Sequence, residues 1–179
     1  MHHQPRRGDL AARAQPRRGH RDRHARPRAL RRAAHRRPRA PGVTLIDWPA
    51  LERAALEVRE RAYAPYSRYH VGAALLAADG TVFVGANVEN ASYGLCMCAE
   101  RVAIGTAVTA GAKRFQAIVV ATEGPAPAAP CGMCRQVLSE LGPNFPVRCI
   151  AATSDDRIET DVASLLPHAF DGGYLARDD

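Results

Sequence analysis

The 179 residues, 46% hydrophobic and 24% charged, include no run approaching the roughly 18 apolar residues of a membrane span, and they are too apolar overall to be a wholly disordered chain. The net charge of +7 is unevenly held: residues 1 to 42 carry fourteen arginines and two aspartates, +12, while residues 43 to 179 carry eleven Lys and Arg against sixteen Asp and Glu, −5. An acidic core without interleaved basic and aromatic residues argues against nucleic acid as a partner, and five cysteines, an odd number in a chain with no signal-peptide core, argue against a disulfide framework.

Residues 1 to 42 interleave Arg with Pro, Ala and Gly, and Leu10 and Leu30 are almost their sole large apolar residues, so they are expected to be a disordered extension. Two other readings stand beside this one. The pairs Arg6-Arg7, Arg17-Arg18, Arg31-Arg32 and Arg36-Arg37 could bind phosphates. Alternatively, the start is misassigned in GC-rich DNA and Val43 is the true initiator. The remaining 43 to 179 are expected to form one domain, and the chain is expected to be cytoplasmic and free of membrane partners.

Within that domain Asp47 is a helix N-cap, Pro49 suits a first turn, and Leu51, Ala55, Val58 and Ala62 follow at helical spacing to about Ala64. Val71 to Ala77 and Thr81 to Val88 are apolar runs joined through Asp79-Gly80, which predicts a hairpin whose strands lie near the middle of a sheet. A helix over 98 to 110 stops at Gly111, and Phe115 to Ala121 reads as a buried strand. The Pro- and Ala-rich stretch 125 to 130 is a loop. It leads to a helix over 131 to 141 ended by Gly142-Pro143, a strand at Val147 to Ala152, a short strand at Arg157 to Thr160, and a helix from the Asp161 cap to Leu166.

Chemistry concentrates at Cys98-Ala99-Glu100 and at Pro130-Cys131-Gly132-Met133-Cys134. Three cysteines placed in the first turns of two helices are favoured as thiolates by the partial positive charge there. Zinc on three protein ligands keeps a position for water, whereas structural zinc is closed by four. A glutamate two residues from a ligand can carry that water's proton, so the pattern reads as catalytic hydrolysis. Taken alone, Cys131 and Cys134 fit equally a redox dithiol or half of a structural zinc knuckle. Cys96 and Cys149 are expected to be small buried residues.

Ala62-Tyr63-Ala64-Pro65-Tyr66-Ser67, Val71-Gly72-Ala73-Ala74-Leu75-Leu76, Asn87-Val88-Glu89-Asn90-Ala91-Ser92-Tyr93-Gly94, Cys98-Ala99-Glu100-Arg101 and Pro130 through Leu138 closely resemble the small homotetrameric cytidine deaminases over roughly residues 47 to 170. The resemblance implies a three-layer α/β/α fold with a mixed sheet of about five strands. It also implies one zinc ion per subunit on Cys98, Cys131 and Cys134, with Glu100 as the proton carrier, following the zinc-deaminase pattern of a non-ligand glutamate. Cysteine in the first ligand position, where relatives acting on nucleic acids usually carry histidine, points to a free nucleoside.

Further roles follow only from the resemblance. Arg101 would donate to the sulfurs and offset the −1 charge of zinc on three thiolates. Asn87 and Glu89 would bind ribose hydroxyls, Ala99 would offer backbone groups to the base, and Ala91 and Tyr93 would complete the substrate site. Tyr69 stands where the family usually has a phenylalanine stacked on the pyrimidine, and His70 where proline is common. Tyr93 and Phe170 would complete neighbouring subunits' sites in a homotetramer, although Asp171-Gly172 replaces the commoner Gly-Pro. The implied activity is hydrolytic deamination of cytidine and deoxycytidine to uridine and deoxyuridine, with release of ammonia, in pyrimidine salvage. The alternatives are a deaminase of another aminated heterocycle, such as a blasticidin-type nucleoside, and an RNA-binding or editing protein using the arginine arm.

Overall fold

The computed structural model describes residues 45–141 and 144–175. The arginine-rich extension expected over residues 1 to 42, and the helix stop at Gly142-Pro143, lie outside them. Helix α1, Trp48–Arg59, begins where Asp47 accepts a hydrogen bond from the Ala50 amide at 3.0 Å, and it buries Leu51, Ala55 and Val58 along one stripe. It ends short of the expected Ala64 because the backbone of Tyr63 is taken by a different partner. The Tyr63 amide donates to the Asn87 carbonyl at 3.0 Å, and the Tyr63 carbonyl accepts from the Glu89 amide at 2.8 Å.

Strands β1, Val71–Ala77, and β2, Val82–Ala86, form the expected antiparallel hairpin, with Gly80 at φ 88 in its turn. Helix α2, Ala99–Thr109, follows and ends before Gly111, whose φ of 93 supplies the left-handed stop. Strand β3, Phe115–Thr122, helix α3, Gly132–Glu140, and strands β4, Pro146–Ala151, and β5, Arg157–Asp161, complete a five-stranded sheet of order β2-β1-β3-β4-β5. A short helix α4, Val162–Leu165, starts where Asp161 accepts from the Ser164 amide at 2.8 Å. The β3–β4 pairing is parallel and the other three are antiparallel, so the sheet is mixed as expected.

The position of β2 differs from expectation. β1 lies inside the sheet, but β2 is an edge strand, because β1 spends its second edge on β3. The outer part of β2 is accordingly open, with Val82 41% exposed. Alternation along the inner strands separates two cores. Ala74, Leu76, Ala117, Val119 and Ala121 pack against Leu51 and Ala55 of α1, while Ala73, Leu75, Ile118, Val120 and Cys149 pack against Ala103 and Ala107 of α2 and Leu138 of α3. The three layers follow from burying both faces of β1, β3 and β4.

Candidate active site

Helices α2 and α3 start on the same side of the sheet, and each starts on a cysteine. Cys98 is the N-cap of α2 and Cys131 the N-cap of α3, and neither side chain caps its own helix. Cys134 lies in the first turn of α3, fully buried. The three sulfurs lie within 4.8 Å of one another and form the one cluster of potential metal ligands among the described residues. Cys98 Sγ and Cys131 Sγ are 3.7 Å apart. Ligands about 2.3 Å from a tetrahedral zinc ion stand about 3.8 Å from each other, so the spacing and the all-sulfur donor set fit one zinc ion per chain.

The charges around the sulfurs fit a cation as well. The Cys98 thiol is pushed down to about 5, first by its hydrogen bond with Cys134 and further by Arg101. Cys134 is pushed up by that same bond and by burial. Zinc binding requires the thiols to lose their protons, and Arg101 favours that loss at Cys98. Arg101 donates Nη2–H to the Cys96 carbonyl at 2.8 Å and to Cys98 Sγ at 3.7 Å. Glu100 is 4% exposed, and burial, with the Cys98 charge adding to it, raises its carboxyl above the usual range.

Cys98, Cys131 and Glu100 border a cavity of about 510 Å³, within the range of small-molecule sites, while Cys134 and Arg101 lie outside its lining. Of the residues named from the sequence, Tyr69, Asn87, Glu89, Cys98, Ala99, Glu100 and Cys131 line it together. Asn87 holds the start of β1, its Oδ1 accepting from the Val71 amide at 2.8 Å and its Nδ2 donating to the Tyr69 carbonyl at 2.9 Å. Ala91, Tyr93 and Phe170 are not among the lining residues. Tyr93 is 75% exposed on a 3-10 turn, edge-on to Tyr66 at 6.2 Å. Phe170 is 55% exposed and stacked on Tyr174 at 5.5 Å.

Cys149 is buried as expected, and burial pushes its thiol up to about 12. Cys96 departs from expectation: it is half-buried and lines the cavity, its sulfur accepting from the Asn90 amide at 3.3 Å. That bond turns the thiol to its own loop and leaves it out of the sulfur cluster. Ser67, Thr122, Ala128 and Ala129 also line the cavity and were not foreseen. Ala128 and Ala129 belong to the Pro- and Ala-rich loop, whose composition carries no signal of a ligand.

The first turn of α2 lies hard against β2. A Cβ on Gly85 would stand 2.3 Å from the Ala103 amide nitrogen and 2.6 Å from the Ala99 carbonyl oxygen. Both neighbours are helix backbone and cannot rotate away. Gly85→Ala is therefore expected to cost about 3 kcal/mol in urea unfolding and to lower turnover, because the turn it displaces carries Cys98 and Glu100. Unaltered stability would show that α2 shifts freely.

Sequence and structure comparisons agree with this geometry. The profile described as the cytidine and deoxycytidylate deaminase zinc-binding region matches residues 49–158. A cytidine deaminase of Halalkalibacterium halodurans is 47% identical over 125 residues, covering 70% of this chain and 95% of that protein. One from Mycobacterium tuberculosis is 39% identical over 138 residues, covering 74% and 96%. The crystal structure of a cytidine deaminase from Burkholderia pseudomallei superposes with a TM-score of 0.67 at 52% identity, covering 70% of this chain and all of that one. With the three-sulfur cluster and its neighbouring glutamate inside the matched region, the chain belongs to the cytidine and deoxycytidylate deaminase family.

Proposed function

We propose that the protein deaminates cytidine and deoxycytidine hydrolytically, giving uridine or deoxyuridine and ammonia. The observation that carries this reading is a buried Glu100 beside a three-sulfur zinc site on the wall of one nucleoside-sized cavity. Zinc bound by Cys98, Cys131 and Cys134 supplies Lewis acidity that makes water nucleophilic near neutral pH. Glu100 takes a proton from the attacking water and delivers it to the pyrimidine ring nitrogen, where it stays; it then takes the proton of the new hydroxyl and delivers it to the leaving amine, so that ammonia departs as the carbonyl forms. Its raised proton affinity suits a group that must hold and release a proton in turn. Arg101 keeps Cys98 ionised and Tyr69 packs against the base. Ala99 offers its backbone to the base, and Asn87 and Glu89 take sugar hydroxyls.

Tyr93 and Phe170 are open to solvent and outside their own chain's cavity. That placement supports a homotetramer in which they complete neighbouring sites. Among the described residues no helix is long and apolar enough to cross a membrane, and we place the reaction in the cytoplasm. The matched family profile spans residues 49–158, outside the arginine-rich extension, which supports residues 43 to 179 as the working domain.

Chromatographic detection of uridine after incubating the zinc-loaded protein with cytidine tests the reading. No uridine from a zinc-loaded sample would move the assignment to another aminated heterocycle. Protein lacking residues 1 to 42 is expected to turn over cytidine within about twofold of the full chain, because the arm adds charge that a small neutral nucleoside does not need. A large loss would give the arm a role in the active enzyme.

A further inference from the structure

Glu89 is held by a turn that lies more than twenty residues before it in sequence. Its Oε2 accepts from the amides of Tyr66, at 2.9 Å, and Ser67, at 3.2 Å, and its Oε1 accepts from the Ser67 hydroxyl. An ionised carboxylate offers about four acceptor positions, so these three bonds leave one, on Oε1. The Ser67 hydroxyl has a single proton and a carboxylate only accepts, which fixes the direction of that bond. The hydroxyl oxygen in turn accepts from the Tyr69 amide at 3.0 Å. Arg68, between them, sits at φ 56, a left-handed conformation that a side chain of its shape rarely adopts. Ser67 thus fastens a costly turn to Glu89, and Tyr69 and Glu89 both line the cavity. The Ser67 hydroxyl, first among several bonds, holds the Glu89 carboxyl below the usual range, so the acceptor stays ionised.

We propose that Ser67 is a positioning residue of the sugar site: its hydroxyl fixes the rotamer of Glu89, so that the one unused acceptor of the carboxylate meets a substrate hydroxyl. The proposal rests on the reading of Glu89 as a sugar-binding carboxylate. Its effect belongs in substrate binding, because Glu89 is not the group that moves protons.

The full-length, zinc-loaded protein is assayed as Ser67→Ala, Ser67→Thr, Glu89→Ala and the Ser67→Ala/Glu89→Ala double variant, with cytidine and with 2′,3′-dideoxycytidine. Loss of a hydrogen bond to a charged group should raise KM for cytidine about tenfold in Ser67→Ala and leave kcat within about twofold. Ser67→Thr, which keeps the hydroxyl, should restore KM. The Ser67→Ala penalty should vanish in the Glu89→Ala background and on the dideoxy substrate, neither of which has the contact to lose. A merely structural role would instead lower kcat, or keep the penalty in both settings, and either result overturns the proposal. Ser67→Cys, with a similar volume and a weaker donor, carries the same test if Ser67→Ala does not fold. Failure of the parent protein to turn over cytidine defeats the deaminase reading, and this inference with it. Normal parent turnover with an unchanged Ser67→Ala KM defeats the role of Ser67 alone.

Discussion

Glu100→Gln is expected to lower kcat for cytidine by about a thousandfold, the usual scale for removing a proton-transfer group, while the protein keeps its zinc and its fold. The amide matches the carboxylate in shape and cannot carry the proton, so the loss reports chemistry. Stability provides the internal control. Burial raises the Glu100 carboxyl above its ordinary range, so the folded state binds this proton more readily than the unfolded state. For an acid shifted in that direction, the ionised form costs stability at neutral pH and the cost fades as pH falls through the folded-state value. Gln removes the charge, and its melting temperature at pH 7 should equal or exceed that of the parent. A variant retaining turnover within tenfold would remove Glu100 from the reaction.

The second large effect is expected at the metal. Cys134→Ser replaces a fully buried sulfur of the cluster with a poorer zinc ligand, and zinc affinity should fall by at least about a hundredfold. Zinc per chain, measured after dialysis against a chelator, should drop towards zero, and turnover with it. Cys149→Ala supplies the contrast. Cys149 is equally buried but lies outside the sulfur cluster, so its removal should cost about 1 kcal/mol of packing and leave the zinc in place. Equal zinc loss in both variants would mean that Cys149 shares in holding the ion.

Local signals in the sequence carried most of the elements. The seven-residue strand β1 was bounded correctly because it is a continuous apolar run stopped by Asp79-Gly80, and α1 and α4 announce themselves through their Asp caps. The sulfur cluster is also legible, since two of its members sit three residues apart and the third lies two residues before a glutamate. What local pattern could not show was pairing at a distance. The edge position of β2 depends on β3, which is remote in sequence, and the early end of α1 depends on Tyr63 finding Asn87. Ser67 carries no local signal for the same reason: a serine after Pro65-Tyr66 looks like any turn residue until Glu89 is folded against it.

The sulfurs of Cys98 and Cys131 meet across 33 positions of chain, and all of β3 lies between them. Any excursion that pulls this strand out of the sheet must therefore open the coordination sphere as well. Occupancy of the site stabilises the native state by mass action, and that gain should be felt by backbone amides that never touch the ion. Slow hydrogen exchange at Val119 and Val120, inside β3, becomes a gauge of zinc supply, and the metal acts as a clasp on the central strand as well as a reagent.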